Sequence, residues 1–322
     1  MSTANTSEPA ALTRRQFRQM AIITAVAIAV FAFMRWLPTG TNLNHMDFRV
    51  EAKNVIDFCD PLNPQFIPVV AVTSPVTLSL SGARDFRAGE LVRATAVLRT
   101  ANGKPIAPPD LVVTHTELLH FLVVDPTLTD YQHVHPRPGR APGEWEFEFT
   151  PRFGGNYRVF ADFTPAATNR GLYAHVDLPV AGPAHDPIRT LARPGPHAGT
   201  TRSAFESVSD GGFVFKLSGQ SLPIRAGQPA DLVLRIERPD GAAVPLEPVM
   251  GAFAHLVAFD EASSGFAHLH PGEQDLSKRP DALRPALDFK ITIPRAGTYV
   301  IWSQVNLGGR EVFTPFWFDV EE

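Results

Sequence analysis

The chain has 322 residues, 44% of them hydrophobic, and a formal net charge of −4. The length suggests about two domains, and the charge gives no reason to expect nucleic acid, whose binders need a basic face. A single cysteine, Cys59, excludes an intrachain disulfide framework and any Cys-x-x-Cys metal or redox motif. The 30 prolines oppose long helices and suit short strands joined by turns.

Residues 1–19 form a basic N-terminus carrying Arg14, Arg15 and Arg18. Residues 20–37 follow as an apolar run from Met20 to Met34, broken only by Thr24, with Trp36 and Leu37 as an interfacial end. At about 18 residues this run predicts a transmembrane anchor near the lower length limit. The arginines before it put the N-terminus in the cytoplasm and the rest of the chain outside. A cleaved signal peptide is the competing reading, but no small-x-small site follows the run. Thr13-Arg14-Arg15-Gln16-Phe17-Arg18 also resembles a twin-arginine export signal, in which Ser or Thr precedes Arg-Arg-x-Phe.

Residues 38–72 read as an extended stalk, with Pro38, Pro61, Pro64 and Pro68 and little periodicity. Two related regions follow, residues 73–182 and 209–322, joined by a Pro- and Gly-rich linker over 183–208. Arg87-Ala88-Gly89 returns as Arg225-Ala226-Gly227, and Tyr157 within Gly154-Gly155-Asn156-Tyr157 returns as Tyr299 within Gly297-Thr298-Tyr299. Strands are predicted in the first region over 76–81, 91–99, 120–124, 144–149, 157–163 and 172–180. In the second they are predicted over 213–217, 231–236, 254–259, 287–293, 299–304 and 316–320. Trp145, Phe147 and Phe149 alternate with glutamates, the period-2 pattern of a half-buried strand. The fold expected is all-β: two tandem immunoglobulin-like antiparallel β-sandwich domains after an N-terminal transmembrane helix.

Both regions carry one histidine pattern. His120, His133 and His135-Pro136 return as His255, His268 and His270-Pro271, all three at an offset of 135 residues. In a strand, positions i and i+2 point to one side, so the His-x-His pair can address one ion. The segment after the strand that begins at His120 is long enough to reverse the chain and bring His120 beside the pair. Three imidazoles make a plausible site for zinc or copper. His115 and Met250 lie five residues before His120 and His255, so they correspond as well. These two types share an ability to bind copper, and a thioether favours Cu(I). The metal candidates are therefore His115, His120, His133, His135, Met250, His255, His268 and His270. Asp125 and Asp260 also correspond, with a turn role as the default and a contact to an imidazole as the alternative.

The second region, through Met250-Gly251-Ala252-Phe253-Ala254-His255, Phe266-Ala267-His268-Leu269-His270-Pro271 and Ala296-Gly297-Thr298-Tyr299-Val300-Ile301-Trp302, resembles YtkA-like, copper-associated bacterial extracytoplasmic domains. Ala254 stands where that pattern usually has Gly. The resemblance covers most of the second region and, more loosely, the first. It implies a small β-sandwich, often membrane-anchored, encoded near heavy-metal or respiratory functions. The expectation is a single-pass protein of the bacterial inner membrane with residues 40–322 in the periplasm or outside the cell. It would bind or deliver copper, with zinc as the second candidate and a periplasmic copper or respiratory protein as a partner. A structural or interaction module without metal is the competing class. A metalloenzyme using an open coordination position is the third reading; catalysis is not expected, because no duplicated carboxylate beside the histidines serves as a base and no nucleophile motif such as G-x-S-x-G is present.

Overall fold

The structure is a computed structural model and describes residues 13–36, 43–49, 64–82, 85–185, 205–208, 212–219 and 223–322. It divides into two units, Met1–Asn42 and Leu43–Glu322. In the first, one helix spans Arg14–Trp36. It starts before the apolar run because Thr13 and Gln16 cap it reciprocally. The Gln16 side chain accepts from the Thr13 amide at 2.9 Å, and the Thr13 hydroxyl accepts from the Gln16 amide at 3.4 Å. An 18-residue window within Arg14–Met34 has a mean hydropathy of 1.9. Twenty-three residues at about 1.5 Å each give roughly 34 Å, enough for a bilayer core. Such a helix is compatible with a membrane anchor or a signal sequence.

The second unit is built of strands. In repeat 1, Val76–Leu80, Val92–Thr100, Glu144–Phe149 and Arg137–Pro138 form a four-stranded sheet in that spatial order. A larger sheet runs Phe86–Arg87, Leu172–Ala181, Gly155–Pro165, Leu119–Val124, Tyr131–Val134, with Leu111–Val112 paired to Gly155–Pro165. The two sheets enclose one core, in which Leu98, Phe121, Val123, Trp145, Phe147, Val159 and Ala161 pack together.

Repeat 2 has the same large sheet: Ile224–Arg225, Arg310–Glu321, Gly297–Leu307, His255–Asp260, Phe266–Leu269, with Leu246–Glu247 on Gly297–Leu307. Its smaller sheet is Phe205–Val208, Val214–Gly219, Pro229–Glu237, Ala286–Thr292. The twelve strands predicted from the sequence are present, most within three residues at their ends, although Arg310–Glu321 starts six residues early; the sequence reading predicts none of the shorter strands, Tyr131–Val134 and Phe266–Leu269 among them. The fold is all-β, two tandem antiparallel sheet bodies with an N-terminal apolar helix.

Two boundaries differ from the expectation. Phe205–Val208 pairs with Val214–Gly219 and so belongs to repeat 2 rather than to the linker over 183–208; residues 186–204 of that linker lie outside the described residues. The stretch 38–72 is not a free stalk where it is described. Leu43 and Phe48 pack into the core of repeat 1, and Phe66 packs into the core of repeat 2. Ile67 pairs with Phe266. Gly265 permits this crossing, since a Cβ there would lie 1.9 Å from the Ile67 carbonyl oxygen. Prolines set this segment's extended shape, but its apolar residues hold it down.

The large sheets of the two repeats meet through a third apolar cluster. Leu122, Val124, Tyr131 and Phe160 from repeat 1 pack with Val257, Phe259, Phe266 and Trp302 from repeat 2, joined by Ile67 and Val69. Leu119–Val124 is therefore buried on both faces. Phe121 and Val123 face their own core, while Leu122 and Val124 face the other repeat. An uninterrupted apolar strand is the pattern that burial on both faces produces. By the same alternation His120 shares the outward face with Leu122, and His255 shares it with Val257.

Candidate metal centre

The hairpin register assembles each triad. Phe121 pairs with Val134 and Leu122 with His133, so His135 comes opposite His120 one step further. In repeat 2, Leu256 pairs with Leu269 and Val257 with His268, which brings His270 opposite His255. Within each set, His120, His133 and His135 or His255, His268 and His270, one nitrogen per residue lies within 4.8 Å of the others. Among the described residues no fourth His, Cys, Asp or Glu joins either set.

The surrounding acceptors fix the tautomers. Nε2 of His120 lies 3.0 Å from the carbonyl oxygen of Thr114, and Nε2 of His255 lies 3.0 Å from that of Val249. A carbonyl oxygen only accepts, so both Nε2 atoms carry the proton and both Nδ1 atoms carry the lone pair. Nδ1 of His133 donates to Oε1 of Gln304 at 3.0 Å. The amide orientation of Gln304 is set by its own Nε2, which donates to Glu311 at 2.8 Å. Nδ1 of His268 donates to Oδ2 of Asp162 at 3.0 Å. The lone pairs of His133 and His268 are therefore on Nε2.

The consequence is two pairs of facing lone pairs. His120 Nδ1 and His133 Nε2 are 3.2 Å apart, and His255 Nδ1 and His268 Nε2 are 3.3 Å apart. No proton remains to bridge either pair of neutral rings. The third member of repeat 1 is close as well, with His135 Nε2 3.1 Å from His120 Nδ1. In repeat 2, Nε2 of His270 is buried without a hydrogen-bond partner. A tetrahedral ion with nitrogen bonds of about 2.0–2.1 Å holds its ligand atoms roughly 3.3 Å apart, so the spacing suits a cation.

Burial keeps the rings neutral. It lowers the pKa of His120 and His135, and lowers those of His133, His268 and His270 well below the usual imidazole value. His255 is pushed down to about 4, again chiefly by burial. Neutral imidazole is the form that binds metal.

The two triads form one cluster. The rings of His133 and His268 are 5.2 Å apart by centroid, and those of His120 and His268 are 5.8 Å apart. The orienting groups are exchanged: Gln304 of repeat 2 holds His133 of repeat 1, and Asp162 of repeat 1 holds His268 of repeat 2. Asp162 pairs with His120 across its own sheet, and Gln304 pairs with His255.

His115 joins neither three-histidine set, and Met250 takes the equivalent place in repeat 2. Each occupies the first central position of a two-residue turn, at φ 49 and φ 50, and the carbonyl just before each turn accepts from the triad histidine. The His115 ring stacks on His270 of the other repeat, with centroids 3.4 Å apart and planes 13° apart. His175 lies beside Phe160 and His185 stacks on Phe153, while His45 begins a short 3-10 helix. Cys59 and His197 lie outside the described residues. Asp125 and Asp260 brace turns: Asp125 accepts from the amides of Thr127, Thr129 and Asp130, and Asp260 from those of Ser264 and Gly265.

Asp162 and Gln304 escaped the sequence reading. Each is a polar residue in a run of apolar strand residues, Val159-Phe160-Ala161-Asp162-Phe163 and Val300-Ile301-Trp302-Ser303-Gln304-Val305. They share the offset of the Tyr157 and Tyr299 match, so aligning the repeats would have paired them.

A family model described as "Domain of unknown function (DUF8832)" matches residues 71–179 and again residues 206–322. The chain belongs to this family and carries two copies of its domain. Neither match is to a YtkA-like or copper-associated family. No curated protein matches the chain.

Proposed function

We propose that this double-domain member of the family is an extracytoplasmic, membrane-anchored protein that binds two copper ions, one at each three-histidine set, and holds them for delivery to a periplasmic partner. The observation that carries metal binding is the pair of facing imidazole lone pairs, 3.2 and 3.3 Å apart, among rings that burial keeps neutral. Without a cation such pairs repel. A purely structural role for the histidines would leave each lone pair a donor; in repeat 1 one tautomer of His135 supplies one to His120 and leaves the His133 lone pair unmet, and in repeat 2 none is found for His255 and His268 among the described residues.

Copper is favoured over zinc on affinity and resemblance. At nitrogen sites the divalent first-row series peaks at copper, and the histidine pattern resembles copper-associated extracytoplasmic domains. His115 and Met250 enter this proposal as nearby donors that exchange with the triads during loading. The three arginines ahead of the apolar run support an outside location for the body.

The test is metal content of the full chain, purified from its membrane without an affinity tag. The expected result is about two copper ions per chain by mass spectrometry, lost with the triad histidines. Two zinc ions would keep the sites and overturn copper. A metal-free protein that retains no added copper or zinc would overturn the sites.

A further inference from the structure

The two sets differ in what surrounds them. A cleft of about 930 Å³ reaches His268 and His270 of the second set, a volume suited to a small ligand. Its wall includes Asp162 and Thr164, which lie on one face of the same strand, and the stacked His115. His120, His133 and His135 do not line it. No fourth His, Cys, Asp or Glu joins the second set among the described residues. An ion there would be held by three neutral imidazoles at the end of the cleft, with the Asp162 carboxylate meeting its charge only through the His268 ring.

We infer that the second set keeps an open coordination position that takes a small monodentate anion from this cleft, while the first set does not. This rests on the metal reading given above. The chemistry follows from charge. Three neutral ligands leave the full ionic charge to be met by the fourth, and a bound metal lowers the pKa of a water ligand enough to favour hydroxide or another anion. The exogenous donor replaces a water at the metal, so no electron transfer is required. The carboxylate of Asp162, in the cleft wall, is engaged with His268 Nδ1 and orients that ring.

The experiment is a titration of the full chain, loaded with Cu(II), with azide, followed by the azide-to-copper charge-transfer absorption. One azide per chain is expected. The band should be lost in His268→Ala/His270→Ala and kept in His133→Ala/His135→Ala. A Thr164→Trp change, which fills the cleft without touching a triad histidine, should weaken azide at least tenfold while two copper ions stay bound. Two equivalent azides per chain would overturn the inference. So would a band that survives loss of His268 and His270, an unchanged azide affinity in Thr164→Trp, or a two-copper protein without a band. Each of these leaves the copper sites standing. A chain that retains no copper overturns both readings.

Discussion

Gln304 belongs to the second repeat, yet it fixes the ring of His133 in the first: its Oε1 accepts from His133 Nδ1 at 3.0 Å. The same service runs the other way from Asp162 to His268. Each site is thus finished by the opposite domain.

This relationship gives a prediction that a self-contained domain would not obey. Gln304→Leu should weaken metal at the first set about 10–100-fold, the usual effect of losing an orienting partner, and spare the second. Asp162→Asn should weaken the second. Site-resolved titration in variants that keep only one intact triad separates the two effects. Loss at the second set in Gln304→Leu would contradict the exchange.

Metal should also stabilise the fold. Ion present at 100 times its dissociation constant adds about 2.7 kcal/mol per site. A strong chelator should therefore lower Tm by several degrees, and His133→Ala/His135→Ala should roughly halve that response. An identical Tm with and without chelator argues against both sites.

The metal-free protein should lose stability in acid, with a definite sign. The folded pKa of His255 is about 4, below the ordinary value of 6.5. Between these values the unfolded chain binds more protons than the folded one. The histidine contribution is complete above pH 6.5, declines as pH falls, and is lost once pH passes about 4. For His255 alone that is on the order of 3 kcal/mol, and the other triad members shift in the same direction. Thermal melts from pH 7 to 4.5 in chelator should show a falling Tm. A flat profile would contradict neutral burial.

Trp302 ties the repeats together. Its ring is buried in the shared cluster and its Nε1 donates to the Leu128 carbonyl at 3.1 Å. Trp302→Ala should cost about 3–5 kcal/mol by chemical denaturation. For the same reason a fragment 205–322 exposes Val257, Phe259, Phe266, Val300 and Trp302 together and should self-associate in sedimentation. A monodisperse monomer would show that this face tolerates water.

A C-terminal alkaline phosphatase fusion should be active, because the basic flank lies before the apolar run. Replacing Arg14 and Arg15 with Lys tests the narrower twin-arginine reading. Unchanged export would remove that pathway.

Most strands were readable because period-2 alternation reports one buried face, as in Trp145, Phe147 and Phe149. The triads were readable because two diverged copies keep one histidine spacing. The face shared by the repeats was harder to see. Leu119–Val124 and His255–Asp260 announce burial on both sides, but nothing in one strand says what covers the second side. Asp162 and Gln304 act across that cover, so their role depends on a packing that no local pattern encodes. Pro64 and Pro68 suggest a stalk, because proline reports backbone shape, whereas Leu43, Phe48, Phe66, Ile67 and Val69 decide where that segment is anchored.

The contact between the repeats has a further meaning. Leu122 and Val257, Val124 and Phe259, Tyr131 and Phe266, and Phe160 and Trp302 occupy equivalent positions, and all eight meet in one cluster. That is an isologous interface, the kind two identical subunits form about a two-fold axis. Two identical subunits must place identical groups at positions related across such an axis. Written into one chain, the pseudo-dimer is released from that requirement, and a carboxylate at 162 can face an amide at 304. Covalent linkage thereby lets a symmetric scaffold carry two chemically unequal ends.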